Sequence, residues 1–170
     1  MNIGLIGPGE IGAVIVKKLR DAGYPVKMAN SKGPDSLREL AAKTGAIPVS
    51  VKEVVQDVDI LFLVLPQKAF PVLPKGLLNK AKKETIVIDV GNYYSWRDGR
   101  IDEIESGLTD SAWVALETPF EEGQEKGYRH LERPLRLKPV LLPFSRRGFS
   151  VRLGPVHLPF SLDNLHLLIS

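Results

Sequence analysis

Apolar residues follow two rhythms over the first ninety positions of this chain. Short apolar runs read as strands: NIGLI (2–6), PVKMA (25–29), AIPV (46–49), DILFLVL (59–65) and TIVIDV (85–90). DILFLVL is continuously apolar, as a strand covered on both faces should be. Helical spacing fills the intervals. Ile11, Val14, Ile15 and Leu19 share one face and end at Gly23. Pro34 and Asp35 open a second helix, in which Leu37, Leu40 and Ala41 share a face and Gly45 is the stop. Ser50 and Glu53 form a capping-box pattern ahead of Val51, Val54 and Val55. A further helix is expected from about Gln67 to Lys82, its regular part confined to the end by Pro71 and Pro74. Strands alternating with helices imply a parallel sheet with right-handed crossovers. The expected fold is therefore α/β, a Rossmann-type doubly wound sheet with strand order 3-2-1-4-5.

The pattern stops near Val114. Residues 115–170 hold all three histidines, six of the thirteen prolines and combinations such as ERPLRLKPVLLPF, with neither a helical nor a two-residue period. Residues 1–114 are expected to form the nucleotide-binding domain. Residues 115–170 read as an irregular Pro/Leu/Arg-rich extension, either short extended segments such as GFSVRL and LHLLIS or poorly ordered chain.

Between the first strand and first helix lies Gly7-Pro8-Gly9-Glu10-Ile11-Gly12, a G-x-G-x-x-G pattern. Alone it is weak; directly after a strand and opening a helix, it points to a dinucleotide. Gly7 allows the tight turn, Gly9 lets backbone approach a pyrophosphate, and Gly12 permits close packing of helix on strand. Free N–H groups at the helix start face the phosphates. Glu10 can point to solvent and favour the helix dipole. A P-loop is disfavoured, because no Gly-Lys-Ser/Thr completes the turn.

Dinucleotide sites often place a carboxylate about twenty residues further on, at the end of the second strand, to hold the ribose hydroxyls of NAD. Here the stretch is MANSKGPDS (28–36). Asn30 removes the charge while keeping a polar partner for the ribose. Ser31 can donate from its hydroxyl and backbone, and Lys32 brings a cation to a 2′-phosphate. The helix start at Pro34–Asp35 can add N–H groups, and Arg38 a second cation. NADP(H) is preferred over NAD(H). FAD and S-adenosylmethionine are disfavoured, as both usually want the carboxylate.

Ligands bind outside the carboxyl edge of such sheets, so two more strand ends should line the crevice. Leu65 and Pro66 follow the fourth strand and can press on the adenosine or nicotinamide side. Asn92 follows the fifth and can hydrogen-bond the nicotinamide amide or a substrate. Residues 1–114 contain no His and no Cys, yet hydride transfer between two bound rings needs neither. Tyr93, Tyr94 and Asp89 could assist a proton transfer; none is singled out, and no catalytic residue is assigned.

Composition narrows the partners. With 44% hydrophobic and 25% charged residues the chain is globular, and its net charge of +3 is spread rather than clustered, which argues against nucleic acid. The absence of cysteine excludes disulfides, thiolate catalysis and zinc–thiolate sites, and is compatible with a reducing compartment. His130, His157 and His166 lack metal-ligand spacing, so no metal is expected. The start MNIGLIGPG has no basic flank and breaks at glycines and Glu10, and ILFLVLP (60–66) is too short to span a bilayer. No membrane association and a cytoplasmic location are the expectation.

MNIGLIGPGEIG, MANSKGPDSLRELA, DILFLVLP and VIDVGNYYSWRDGRIDEIESG together resemble the deazaflavin (coenzyme F-420)-dependent NADP reductases over about residues 1–114. The nucleotide domain is also similar to that of the six-transmembrane ferric reductases and, more distantly, pyrroline-5-carboxylate reductase. The resemblance implies that the Gly7–Gly12 turn cradles the pyrophosphate. It implies that Asn30, Ser31 and Lys32 hold the 2′-phosphate end, and that Leu65, Pro66 and Asn92 border the nicotinamide. It further implies hydride exchange between NADP(H) and a flavin-like, deazaflavin or other small acceptor, with a C-terminal region serving substrate binding and homodimer formation. From Ala115 onward the sequence departs from that pattern, lacking the further strand and its A-F-N-like motif. A change of reading frame would produce such a shift, and the neighbouring nucleotide frames test it. The departure keeps a second reading open: a non-catalytic NADP(H)-binding module, either a redox sensor or a truncated remnant.

Overall fold

The apolar runs assemble into one parallel sheet in a computed structural model that describes residues 1–117. Its strands are β1 (Ile3–Ile6), β2 (Val26–Ala29), β3 (Ile47–Pro48), β4 (Ile60–Leu63) and β5 (Ile86–Asp89), in the order β3-β2-β1-β4-β5. That is the expected order. The strands also start level: Ile3 pairs with Val26 on one side and Ile60 on the other, and Ile60 with Ile86. Their last residues, Ile6, Ala29, Leu63 and Asp89, therefore lie in register along one edge.

Successive side chains point to opposite faces of a strand, so each run feeds two cores. Ile3, Leu5, Val26, Met28, Ile60, Phe62, Ile86 and Ile88 face α1 (Glu10–Asp21) through Ile15, Val16 and Leu19. Leu37, just before α2 (Arg38–Thr44), joins the same core. Ile6, Ala29, Leu61 and Leu63 build the second face with Val54 of α3 (Val51–Val54), Val55 and Val58. Phe70, Leu77 and Leu78 complete it, and α6 (Asp110–Glu117) closes it with Trp113 edge-on to Phe70, ring centroids 6.4 Å apart. Two four-residue helices, α4 (Ser95–Asp98) and α5 (Asp102–Glu105), lead from β5 into α6.

The local signals act as expected at α1 and α3. The capping box forms, with the Ser50 N–H donating to Glu53 Oε2 at 2.9 Å. Two segments differ. No α-helix forms over 67–82; the chain makes only 3-10 turns at Gln67–Ala69 and Leu77–Lys80. Pro71 and Pro74 lack N–H groups and interrupt the ladder, and Phe70, Leu77 and Leu78 are buried by turns instead. Pro34 likewise opens a 3-10 turn (Pro34–Leu37), and α2 proper begins at Arg38. The expectations for residues beyond 117, including the three histidines and the extended segments, lie outside the described residues. Among the described residues no helix is long and apolar enough to cross a membrane.

Candidate functional site

The in-register strand ends bring the turns that carry the predicted cofactor-binding residues to one edge. The β1–α1 turn is built around close approaches. Gly7 donates its N–H to the Ala29 carbonyl at 2.9 Å and holds φ at +93°, where a side chain would collide with the Val64 carbonyl oxygen. Gly12 is buried against the Gly7 carbonyl, so α1 sits directly on the turn. Gly9 differs. It is exposed, and no heavy atom lies within 4 Å of where its Cβ would be. It is the N-cap of α1; its own N–H donates to the Gly7 carbonyl at 2.8 Å, and the first N–H groups of the helix have no partner within it. Pro8 is half-buried, and Glu10 and Ile11 are exposed in the first turn. Bare, approachable backbone with outward-facing N–H groups is what a pyrophosphate needs.

At the end of β2, Asn30 organises its own loop. Its Oδ1 accepts the Lys32 N–H at 2.9 Å, and its Nδ2 donates to Ser36 Oγ at 2.9 Å. The Ser36 hydroxyl donates to the Gly33 carbonyl at 2.7 Å. This is an Asx-type turn, which the short amide side chain supports. Ser31 and Lys32 project outward and are exposed, and among the described residues the Lys32 ammonium makes no ion pair. Arg38 is paired with Asp35 at 2.6 Å instead. Of the N–H groups at this helix start, that of Ser36 is engaged by the Gly33 carbonyl at 3.2 Å.

At the other strand ends Leu65, Pro66 and Asn92 are half-buried. Leu65 packs into the second core and lies over the Gly7 turn. Here the structure holds a network that sequence reasoning missed. Arg97 donates through Nη2 to the Asn92 carbonyl, to Gln67 Oε1 at 3.1 Å and to Asp98 Oδ2 at 2.7 Å. Lys68 Nζ donates to the Arg97 carbonyl at 2.7 Å. Gln67 is fully buried, its Nε2 without a hydrogen-bond partner. Asp89 is buried as well, and its Oδ1 accepts the Gly91 N–H at 2.9 Å. Tyr93 turns away to donate to Glu105 Oε1 at 2.9 Å; desolvation, with that carboxylate, holds its phenol pKa above the ordinary value. Nothing in the spacing of Gln67 and Arg97 announces their pairing. Only the adjacency of β4 and β5 brings them together.

A parallel sheet in this order, with a glycine turn opening α1 at its carboxyl edge, defines a Rossmann-type dinucleotide-binding domain. Residues 2–93 match the family described as NADP oxidoreductase, coenzyme F420-dependent, and the chain belongs to that family. Its cofactor is accordingly NADP(H). Similar solved structures include a hypothetical protein from Sinorhizobium meliloti (22% identity, TM-score 0.57, covering 70% of this chain and 57% of that one). Another is 3-hydroxyisobutyrate dehydrogenase from Mycobacterium tuberculosis (22% identity, TM-score 0.50, covering 70% of this chain and 38% of that one). Both likenesses concern the fold, and the chain spans only part of each relative's length. The cofactor fits the residues present: the open backbone at Gly9 admits phosphate, and no carboxylate stands at the end of β2 to repel a second one.

Proposed function

We propose that this chain transfers hydride between NADP(H) and a flavin-like, deazaflavin or other small acceptor, with residues 1–114 as the nucleotide-binding domain. One observation carries the cofactor side: β2 ends in an amide that shapes its loop and leaves Lys32 exposed and unpaired, where NAD sites place an acid. In this reading the Gly7 to Gly12 turn cradles the pyrophosphate: Gly7, Pro8 and Gly9 shape the open backbone, and the N–H groups of Glu10, Ile11 and Gly12 at the start of α1 donate to it. Ser31 and Lys32 hold the 2′-phosphate, with Asn30 presenting them. Leu65 and Pro66 exclude water from the nicotinamide, and Asn92 orients it.

When bound, the cofactor supplies the hydride, so the chain's own work is to position two rings and keep water out. The absence of His and Cys from residues 1–114 is consistent with that division. The test is to titrate NADPH and NADH and then follow NADPH oxidation with flavin, deazaflavin and ferric acceptors. Tight NADPH binding with turnover on at least one acceptor is expected. Binding without turnover on any acceptor would overturn the enzymatic reading in favour of a non-catalytic module.

A further inference from the structure

One large apolar side chain is left in solvent just after the end of β5. Trp96 is 82% exposed, the most exposed large apolar residue among the described residues, and it lies four positions beyond Asn92. Isolated exposed apolar groups are ordinary, but this one belongs to a built arrangement. Its ring leans on Tyr94, centroids 5.7 Å apart and planes inclined by 38°. The Arg97 guanidinium sits 5.0 Å from the centre of the Tyr94 ring. Arg97 is in turn held by Asp98, by Gln67 after β4 and by the Asn92 carbonyl after β5. The indole is thus joined, through Tyr94 and Arg97, to the two strand ends proposed above to border the nicotinamide.

We propose that Trp96, backed by Tyr94, is a stacking surface for the flat ring of the hydride acceptor. The inference rests on the oxidoreductase reading and assigns that reading's acceptor a place. A planar heteroaromatic ring gains both apolar burial and face-to-face attraction on an exposed indole. The polar network behind it keeps the surface oriented before the ligand arrives. A small inorganic acceptor has no such ring and gains nothing there.

Riboflavin is a suitable probe, because indole stacking quenches its fluorescence whether or not NADP(H) is present. Titrating the full chain into riboflavin should give saturable quenching. Trp96→Ala should weaken it about tenfold or more, and Trp96→Phe should keep most of it. Trp113→Phe, which alters the buried second tryptophan, should leave the quenching unchanged. With NADPH as donor, Trp96→Ala should raise the KM for riboflavin and leave NADPH affinity intact. Equal riboflavin affinity in wild type and Trp96→Ala overturns the proposal, as does wild-type protein that does not quench. Parallel losses of riboflavin and NADPH affinity do the same, since they indicate damage rather than a lost platform. NADPH binding is measured separately: its failure in the wild type removes the oxidoreductase reading, and a loss confined to riboflavin quenching removes only this inference.

Discussion

Two loops leave the same edge of the sheet and hold their cations in opposite ways. After β2, three hydrogen bonds centred on Asn30 and Ser36 shape the loop, and Lys32 is left exposed and unpaired. After β4 and β5, Arg97 is bound to Asp98, Gln67 and the Asn92 carbonyl, and the Asp98 side chain is fully buried. A cation available to a ligand contributes little to the fold, whereas a cation engaged in the fold is not available to a ligand. The first loop is suited to selecting a cofactor and the second to holding a surface still.

The largest expected effect breaks the second loop. Asp98→Ala removes the acceptor for the Arg97 guanidinium and for the Tyr94 N–H, which it receives at 3.0 Å. The Tyr94 N–H loses its acceptor, Arg97 keeps only Gln67 and the Asn92 carbonyl as acceptors, and the expected loss is about 2–4 kcal/mol in urea unfolding. A loss below about 0.5 kcal/mol would mean that the network is incidental to stability. Lys32→Ala is the converse. Its expected cost to stability is within about 0.5 kcal/mol, and its expected effect on NADPH affinity is about tenfold with NADH little changed. Equal losses for the two cofactors would show that Lys32 does not meet the 2′-phosphate.

A milder change tests the Asn30 amide. Asn30→Asp keeps an oxygen to accept the Lys32 N–H, so the turn should survive. The added charge stands where the 2′-phosphate is proposed to bind. NADPH affinity should fall about fivefold while NADH holds or improves, which corresponds to about 1 kcal/mol of screened repulsion. Titration calorimetry with both cofactors measures it. A fall for NADH as large as that for NADPH would point to a collapsed turn.

How much of this could be read from the sequence follows from the range of the interactions. Strand order and the packing of α1 on Gly7 and Gly12 depend on local period and on a turn motif, and both were legible. The positions of Asn30, Lys32, Leu65 and Asn92 at one edge follow from that order alone. After β4 the sequence predicts a helix over about 67–82, regular only beyond Pro74, but even that end closes as a 3-10 turn. Arg97 and Gln67 lie thirty positions apart and meet only after two strands pair, so no spacing rule could find them. Trp96 gave no period at all; only its exposure in the folded chain marks it.

An ordinary surface pair at the opposite edge of the sheet supplies the scale for these effects. Asp59, just before β4, accepts the Asn2 N–H at 2.7 Å and faces Lys82 at 3.1 Å, with side chains 43% and 41% exposed. The Asn2 hydrogen bond, with Lys82, holds the Asp59 carboxyl below its usual 3.8. A depressed folded-state pKa contributes stability above the unfolded value, and that contribution disappears as the pH falls through the folded one. Solvent screening at such exposure keeps it small, roughly 0.5 kcal/mol. Asp59→Asn should therefore be slightly less stable than wild type at neutral pH, and the gap should close as the pH drops below 3.8. Urea midpoints at neutral and acid pH measure the gap. A gap unchanged by acid would place the effect in packing rather than charge, and a gap as large as that of Asp98→Ala would erase the contrast between exposed and buried acids.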